Sequence, residues 1–217
     1  MPIRVPNWTC IPIVLASLLA GPALAGHHQW FISELYSNAD GTVQFVELKG
    51  TANNEHLISG FSIATIGPEG SVNTSSPLGP NLPSTATNNA YLLIATNGYA
   101  IKAAQQAAPA PDRIMPDNFL ELVADRVRYA GISATDRVYT GGGLPTDGVL
   151  SLDYESGSPG TTANTPQNFA GDSGSIDANQ VAVPTSTRFG VLALLACLVG
   201  GVAVTLRRRR HPLNRAG

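Results

Sequence analysis

Short apolar runs separated by polar, turn-forming clusters pattern the middle of this chain. Trp30 to Ser37, Thr42 to Lys49, Leu57 to Ile66, Ala90 to Thr96, Val127 to Tyr129 and Val149 to Asp153 are rich in β-branched, aromatic and leucine residues. Gly, Pro, Asn and Asp clusters bound them, as the strands of an all-β sandwich require. Asp40-Gly41 and Asp147-Gly148 are hairpin-type turn signals, because glycine accepts the positive φ that tight turns demand. One helix is predicted from Gly98 to Ala107, favoured by Ala103, Ala104, Gln105 and Gln106 and stopped by Pro109 and Pro111. Gly67 to Asn89 is expected to form a long Ser/Pro/Asn loop, and Gly157 to Gln180 to loosen into a spacer.

The two ends carry a different pattern. Arg4, the apolar stretch Ile11 to Ala20 and Ala23-Leu24-Ala25 make up the three parts of an export signal, cleaved between Ala25 and Gly26. That apolar stretch is too short to span a bilayer. Cys10 lacks a lipobox-like context, which argues against lipoprotein processing. At the other end, Phe189 to Leu206 is 18 residues without a charge, and a helix of that length reaches roughly 27 Å. Arg207, Arg208, Arg209 and Arg210 follow directly, which places the C-terminus inside by the positive-inside rule. The expected organisation is therefore a signal peptide at 1–25, a β-domain at 26–170 and a flexible spacer at 171–182. A sorting motif, transmembrane helix and basic stop at 183–210 and a cytoplasmic tail at 211–217 complete it. The chain would be anchored in the inner membrane through 189–206, N-out and C-in.

Charge changes the picture of the domain between these ends. All 15 acidic residues lie between 26 and 183, against the six basic residues Lys49, Lys102, Arg113, Arg126, Arg128 and Arg137. A net charge of about −9 is thus hidden in a whole-chain total of −2. Such a surface repels phosphate backbones and excludes nucleic acid as a partner. Cys10 and Cys197 fall in the apolar ends, so the exported domain has neither a disulfide nor a thiolate zinc site. Its stability has to come from a hydrophobic core, for which about 158 residues suffice.

Two family resemblances follow from specific residues. Val183-Pro184-Thr185-Ser186-Thr187-Arg188-Phe189-Gly190 resembles the start of IPTL-CTERM tails, relatives of the PEP-CTERM sorting signals of Gram-negative bacteria. Pro184, Thr185 and Gly190 match outright and Val183, Thr187 and Phe189 match in kind, whereas Ser186 and Arg188 depart from the pattern. The resemblance implies a surface-sorted envelope protein handled by signal peptidase and a sorting enzyme, with cleavage near the motif. The basic cluster after the apolar run argues against a GPI signal.

The domain is similar to the lamin-tail-like domains that bacteria export. Ile32-Ser33-Glu34, the turn Asn38-Ala39-Asp40-Gly41, Phe45-Val46-Glu47-Leu48 and Ile58-Ser59-Gly60-Phe61-Ser62-Ile63 carry the first part of that likeness. Leu82-Pro83 before Tyr91 to Thr96, and Leu150-Ser151-Leu152 with Asn164-Thr165-Pro166 and Asn168, carry the rest. Together they cover about residues 30 to 170, with 105–140 departing from a simple match. The resemblance implies an immunoglobulin-like β-sandwich with one short helix. It implies a binding or scaffolding module for a surface protein or glycan, with no catalytic residues and no cofactor.

Glu34 and Glu47 are the residues with chemistry to weigh. If Asp40-Gly41 is a two-residue turn, Tyr36 faces Phe45, Leu35 faces Val46 and Glu34 faces Glu47. Like charges directly opposite are destabilising. The pair could share a proton or hold a cation; a longer loop would pair Glu34 with Phe45 instead; or both carboxylates could bond nearby donors. Tyr36 to Glu47 half-fits a calcium loop, with Asn38, Asp40, Gly41 and Glu47 in register, but Tyr36 supplies no carboxylate at its first position. Gly171-Asp172-Ser173-Gly174 is similar to a serine-protease nucleophile loop, yet none of His27, His28, His56 and His211 lies in the setting of a catalytic base. His27-His28 reads as an incidental pair, Gly141-Gly142-Gly143 as a loop without phosphate-loop chemistry, and Asn73-Thr74-Ser75 as a formal sequon. Three functions remain in play: a non-enzymatic envelope module, a cation-dependent hydrolase or calcium-binding surface domain using Glu34 and Glu47, and a structural protein that self-associates through sandwich edges.

Overall fold

The structure, a computed structural model, describes residues 29–180 apart from 122, 123, 131 and 140–142. Ala23, Ala25 and Gly26 of the expected cleavage site lie outside the described residues. So do Val183, Pro184, Thr185, Gly190, the run 189–206 and Arg207 to Arg210, as well as His27, His28, Gly141 and Gly142. Among the described residues no helix is long and apolar enough to cross a membrane.

The chain order is β1 (Trp30–Asn38), β2 (Gln44–Gly50), β3 (Ser62–Ile66), β4 (Val72–Pro77), β5 (Tyr91–Ala95), α1 (Asn97–Gln106), β6 (Arg113–Ile114), β7 (Arg126–Tyr129), β8 (Arg137–Val138), β9 (Asp147–Asp153) and β10 (Gly160–Ala163). A 3-10 turn at Ser133–Thr135 links β7 to β8. The strands form a six-stranded sheet, β10-β9-β1-β2-β5-β6, and a four-stranded sheet, β4-β3-β7-β8. All ladders are antiparallel except β5 with β6.

Two cores flank the larger sheet. The first fills the space toward the smaller sheet with Trp30, Ile32, Leu35, Val46, Leu48, Leu92 and Ile94 on one side and Ile63, Val127 and Tyr129 on the other. The second covers the opposite, outer face, where Tyr36, Phe45, Leu93 and Ala95 meet Tyr99 and Ala103 of α1 and Ile176 from the C-terminal segment. Because both faces are buried, β1 and β2 carry apolar residues at consecutive positions, Leu35 and Val46 toward the first core and Tyr36 and Phe45 toward the second.

A bulge decides which β1 residues face which core. Ile32 pairs with Leu48, but Glu34 pairs with Glu47, so the register slips by one at Ser33. Without that slip Glu34 and Tyr36 would share a face with Trp30 and Ile32, inside the sandwich. With it, Leu35 enters the first core and Glu34 and Tyr36 turn outward. The hairpin beyond has the register of a two-residue turn, Glu34 opposite Glu47 and Tyr36 opposite Phe45. Tyr36 and Phe45 stack at 5.1 Å, and Phe45 meets Tyr99 edge-on at 5.6 Å.

Helix α1 forms one residue earlier than expected, because Thr96 is its cap. The Thr96 hydroxyl accepts from Tyr99 N at 3.2 Å and donates to Thr42 O at 2.7 Å, fastening the helix to the β1–β2 turn. Gly98 is needed for that docking: a Cβ there would strike the Thr42 carbonyl oxygen. The helix ends on Ala107 in the left-handed region, φ 54°.

Three expectations change. The strand expected over 57–66 begins only at Ser62, because Gly60, with φ +88°, makes a turn after Ile58. The expected loop 67–89 contains β4, an edge strand whose side chains are mostly polar and mostly exposed. The flexible spacer expected from 171 is instead packed as far as Asn179: Ile176 is buried, and Asn179 Nδ2 donates to Asp147 O at 2.6 Å.

Candidate functional site

Glu34 and Glu47 stand opposite each other on the outer face, 4% and 2% exposed. Glu47 pairs in turn with Leu93 of β5, so one transverse row runs across β1, β2 and β5. Asp112 completes the row: its Oδ2 accepts from Leu93 N at 2.8 Å.

Residues 164–178 cross this row as a strap. Thr165 N donates to Glu34 Oε1 at 3.0 Å, Gln167 N to Glu47 Oε2 at 2.6 Å and Phe169 N to Asp112 Oδ2 at 2.9 Å. Alternate amides of an extended segment point the same way. A run of three carboxyls, on β1, on β2 and just before β6, is therefore matched by every second N–H of the segment above. A hydroxyl adds a further donor to each glutamate. Ser151 donates to Glu34 Oε1 at 2.5 Å, and the bulge residue Ser33 donates to Glu47 Oε1 at 2.6 Å.

The strap then turns back on itself. Asn168 and Asp172 close the turn through Asp172 N to Asn168 Oδ1 at 2.9 Å and Asn168 Nδ2 to Asp172 Oδ2 at 3.1 Å. Gln167 and Ser173 form a bridge. The buried Asn164 side chain joins the two arms: its Oδ1 accepts from Ile176 N at 2.8 Å and its Nδ2 donates to Ile176 O at 2.7 Å. Gln106 at the end of α1 clamps Asp177 through both of its backbone groups, each at 2.8 Å.

Burial dominates the electrostatics. It pushes the Glu34 carboxyl up to about 7 and the Glu47 carboxyl up to about 8, against the smaller opposing effect of their hydrogen-bond donors. The negative charge of Glu34 raises Glu47 further. Asp112 is raised as well, again first by burial. Glu34 and Glu47 are thus acids that hold protons near neutral pH, reached by backbone and hydroxyl donors and closed over by protein.

Of the three arrangements open for Glu34 and Glu47, the register brings them together, and nearby donors bond to both carboxyls. The half-fit calcium loop is a hairpin turn. Its Asp40 Oδ1 accepts from Thr42 N at 3.0 Å and Thr42 Oγ1 at 2.6 Å, contacts that hold its carboxyl below the usual range, and Asn38 Oδ1 accepts from Val43 N at 3.0 Å. Among the described residues no group of three or more His, Cys, Asp or Glu is placed to hold a metal ion. Gly171 to Gly174 is the strap's turn and return, and His56 lies in the loop before β3. Asp112 is not among the candidate residues of the sequence, and Ser33 and Asn164 enter there only within a resemblance; nothing in local pattern marks a role for any of the three.

No family model, curated protein or solved structure matches this chain.

Proposed function

We propose that the chain is an exported, surface-sorted, non-enzymatic binding or scaffolding module of a bacterial cell envelope. In this proposal its β-domain is a lamin-tail-like, immunoglobulin-like sandwich held outside the membrane by residues 189–206 and recognised by a surface protein or glycan. One observation carries the non-enzymatic part. Glu34 and Glu47, the residues best suited to acid–base work, are buried and accept hydrogen bonds from Ser33, Ser151 and the strap's amides. A general acid needs a substrate atom within hydrogen-bond reach, and the strap occupies that position. The same contacts support the resemblance, because the Ser-Glu and Val-Glu motifs and the Asn164-Thr165-Pro166 motif bond to one another directly.

The delivery part rests on the two ends of the sequence. It is tested by expressing the full chain in a Gram-negative host and treating intact cells with an added protease. The proposal expects a mature N-terminus at Gly26 and degradation of the β-domain from outside. A chain found in the cytoplasm with residues 1–25 still attached would overturn it.

A further inference from the structure

We propose that residues 164–178 are a proton-held clasp, closed over the larger sheet while Glu34 and Glu47 carry protons and opening as both ionise. The two carboxyls lie directly opposite each other beneath the same cover, where two negative charges repel in a poorly screened environment. The charged groups that act on them are acidic too: Asp153 of β9 on Glu34, and Glu155 just after β9 on Glu47. From the other flanking elements come the Tyr99 phenol of α1 and Asp112 in the same row. The lysines of those elements are Lys49 of β2, drawn to Glu155 at 2.9 Å, and Lys102 of α1.

Ionised carboxylates grip N–H donors more tightly, which would favour a closed clasp at high pH. Burial outweighs the donors at both residues, however, and places their titration at about 7 and about 8. Water has to reach the pair to relieve that cost. The sheet cannot admit it, because β1 and β2 are each hydrogen-bonded to a strand on both sides. The strap is tied across the row by the amides of Thr165, Gln167 and Phe169, and beyond it by Ile176 and its partners. Lifting it is therefore the local opening that hydrates both carboxylates and leaves the ladders intact. Once opened, the acids titrate near their ordinary values, so opening and ionisation are thermodynamically linked.

Amide hydrogen exchange of the full-length chain in detergent, at pH 6 and pH 9 and corrected for intrinsic rates, tests the clasp. Protection at 165, 167 and 169 is expected to fall roughly tenfold or more between the two pH values. Ladder amides at Leu35 and Val46 should hold theirs. In the double variant Glu34→Gln/Glu47→Gln the strap's protection should be independent of pH. Protection at the strap that stays constant or rises with pH in the wild-type chain would overturn the proposal. So would a loss shared equally by β1 and β2. The wild-type comparison decides the matter even if the double variant fails to fold.

Discussion

Ser33 shows how much one backbone irregularity can redirect. The bulge there sends Glu34 out of the inter-sheet core and frees the Ser33 hydroxyl to bond Glu47. Ser151 does the same service for Glu34, and both hydroxyls are buried. Ser151→Ala is expected to cost about 1–3 kcal/mol, because a buried acceptor loses a donor; urea denaturation measures it. Gly98→Ala is expected to invert the usual helix rule. Alanine in a helix interior normally gains about 1 kcal/mol over glycine, but here its Cβ meets the Thr42 carbonyl oxygen. A net loss of about 2 kcal/mol is expected, and a midpoint that stays level or rises would refute the docking role given to this glycine.

The strap is the element on which the outer face depends. It contributes no regular secondary structure between Asn164 and Ala178, yet it satisfies three carboxylates and buries Ile176. Asn164→Ala removes the link between its arms and strands the buried backbone groups of Ile176, for an expected loss of about 3 kcal/mol. Ile176→Ala should cost about 2–4 kcal/mol by leaving a cavity against Tyr36 and Tyr99. Thermal melts of the two variants and their combination should show less than additive losses, since both act on one contact unit. β1, β2, β5, β7 and β9 were legible because each carries buried apolar residues between turn signals, and α1 because Ala and Gln favour a helix that the prolines after it stop. β4 and β10 were not: edge strands held by backbone pairing leave polar, exposed side chains such as Asn73, Ser75, Thr161 and Thr162. β6 and β8, two residues each, are too short to carry any period.

Over the molecule as a whole, the buried acids set the pH dependence of folding. The folded-state values of Glu34 and Glu47, about 7 and about 8, lie above the ordinary 4.5. Their contribution to stability is complete below about 4.5, declines as pH rises, and is gone once both folded-state values are passed. Asp40 and Asp147 act oppositely, since hydrogen bonds lower both and their contribution disappears in strong acid. Stability should therefore peak near pH 5. The melting temperature should drop by ~5 °C or more from pH 5.5 to 8.5, and Glu34→Gln/Glu47→Gln should flatten that slope. A melting temperature that rises over this interval would show that the row is held as carboxylates rather than acids.

Periodicity, turn chemistry and charge are local properties, and they were enough to read a β-rich domain with one helix, the Asp40-Gly41 hairpin and the acidic surface. They left the hairpin register open between one that sets Glu34 against Glu47 and one that sets it against Phe45, and the structure takes the first. What those carboxyls do was beyond them. The answer depends on a bulge at Ser33, on Asp112 arriving beside β5, and on a polar segment whose amides meet Glu34 and Glu47 from 131 and 120 residues away in the chain. Such contacts join residues distant in sequence through backbone groups common to every residue type, so no pattern of side chains announces them. Packing alone turned an expected spacer into the cover of the buried acids.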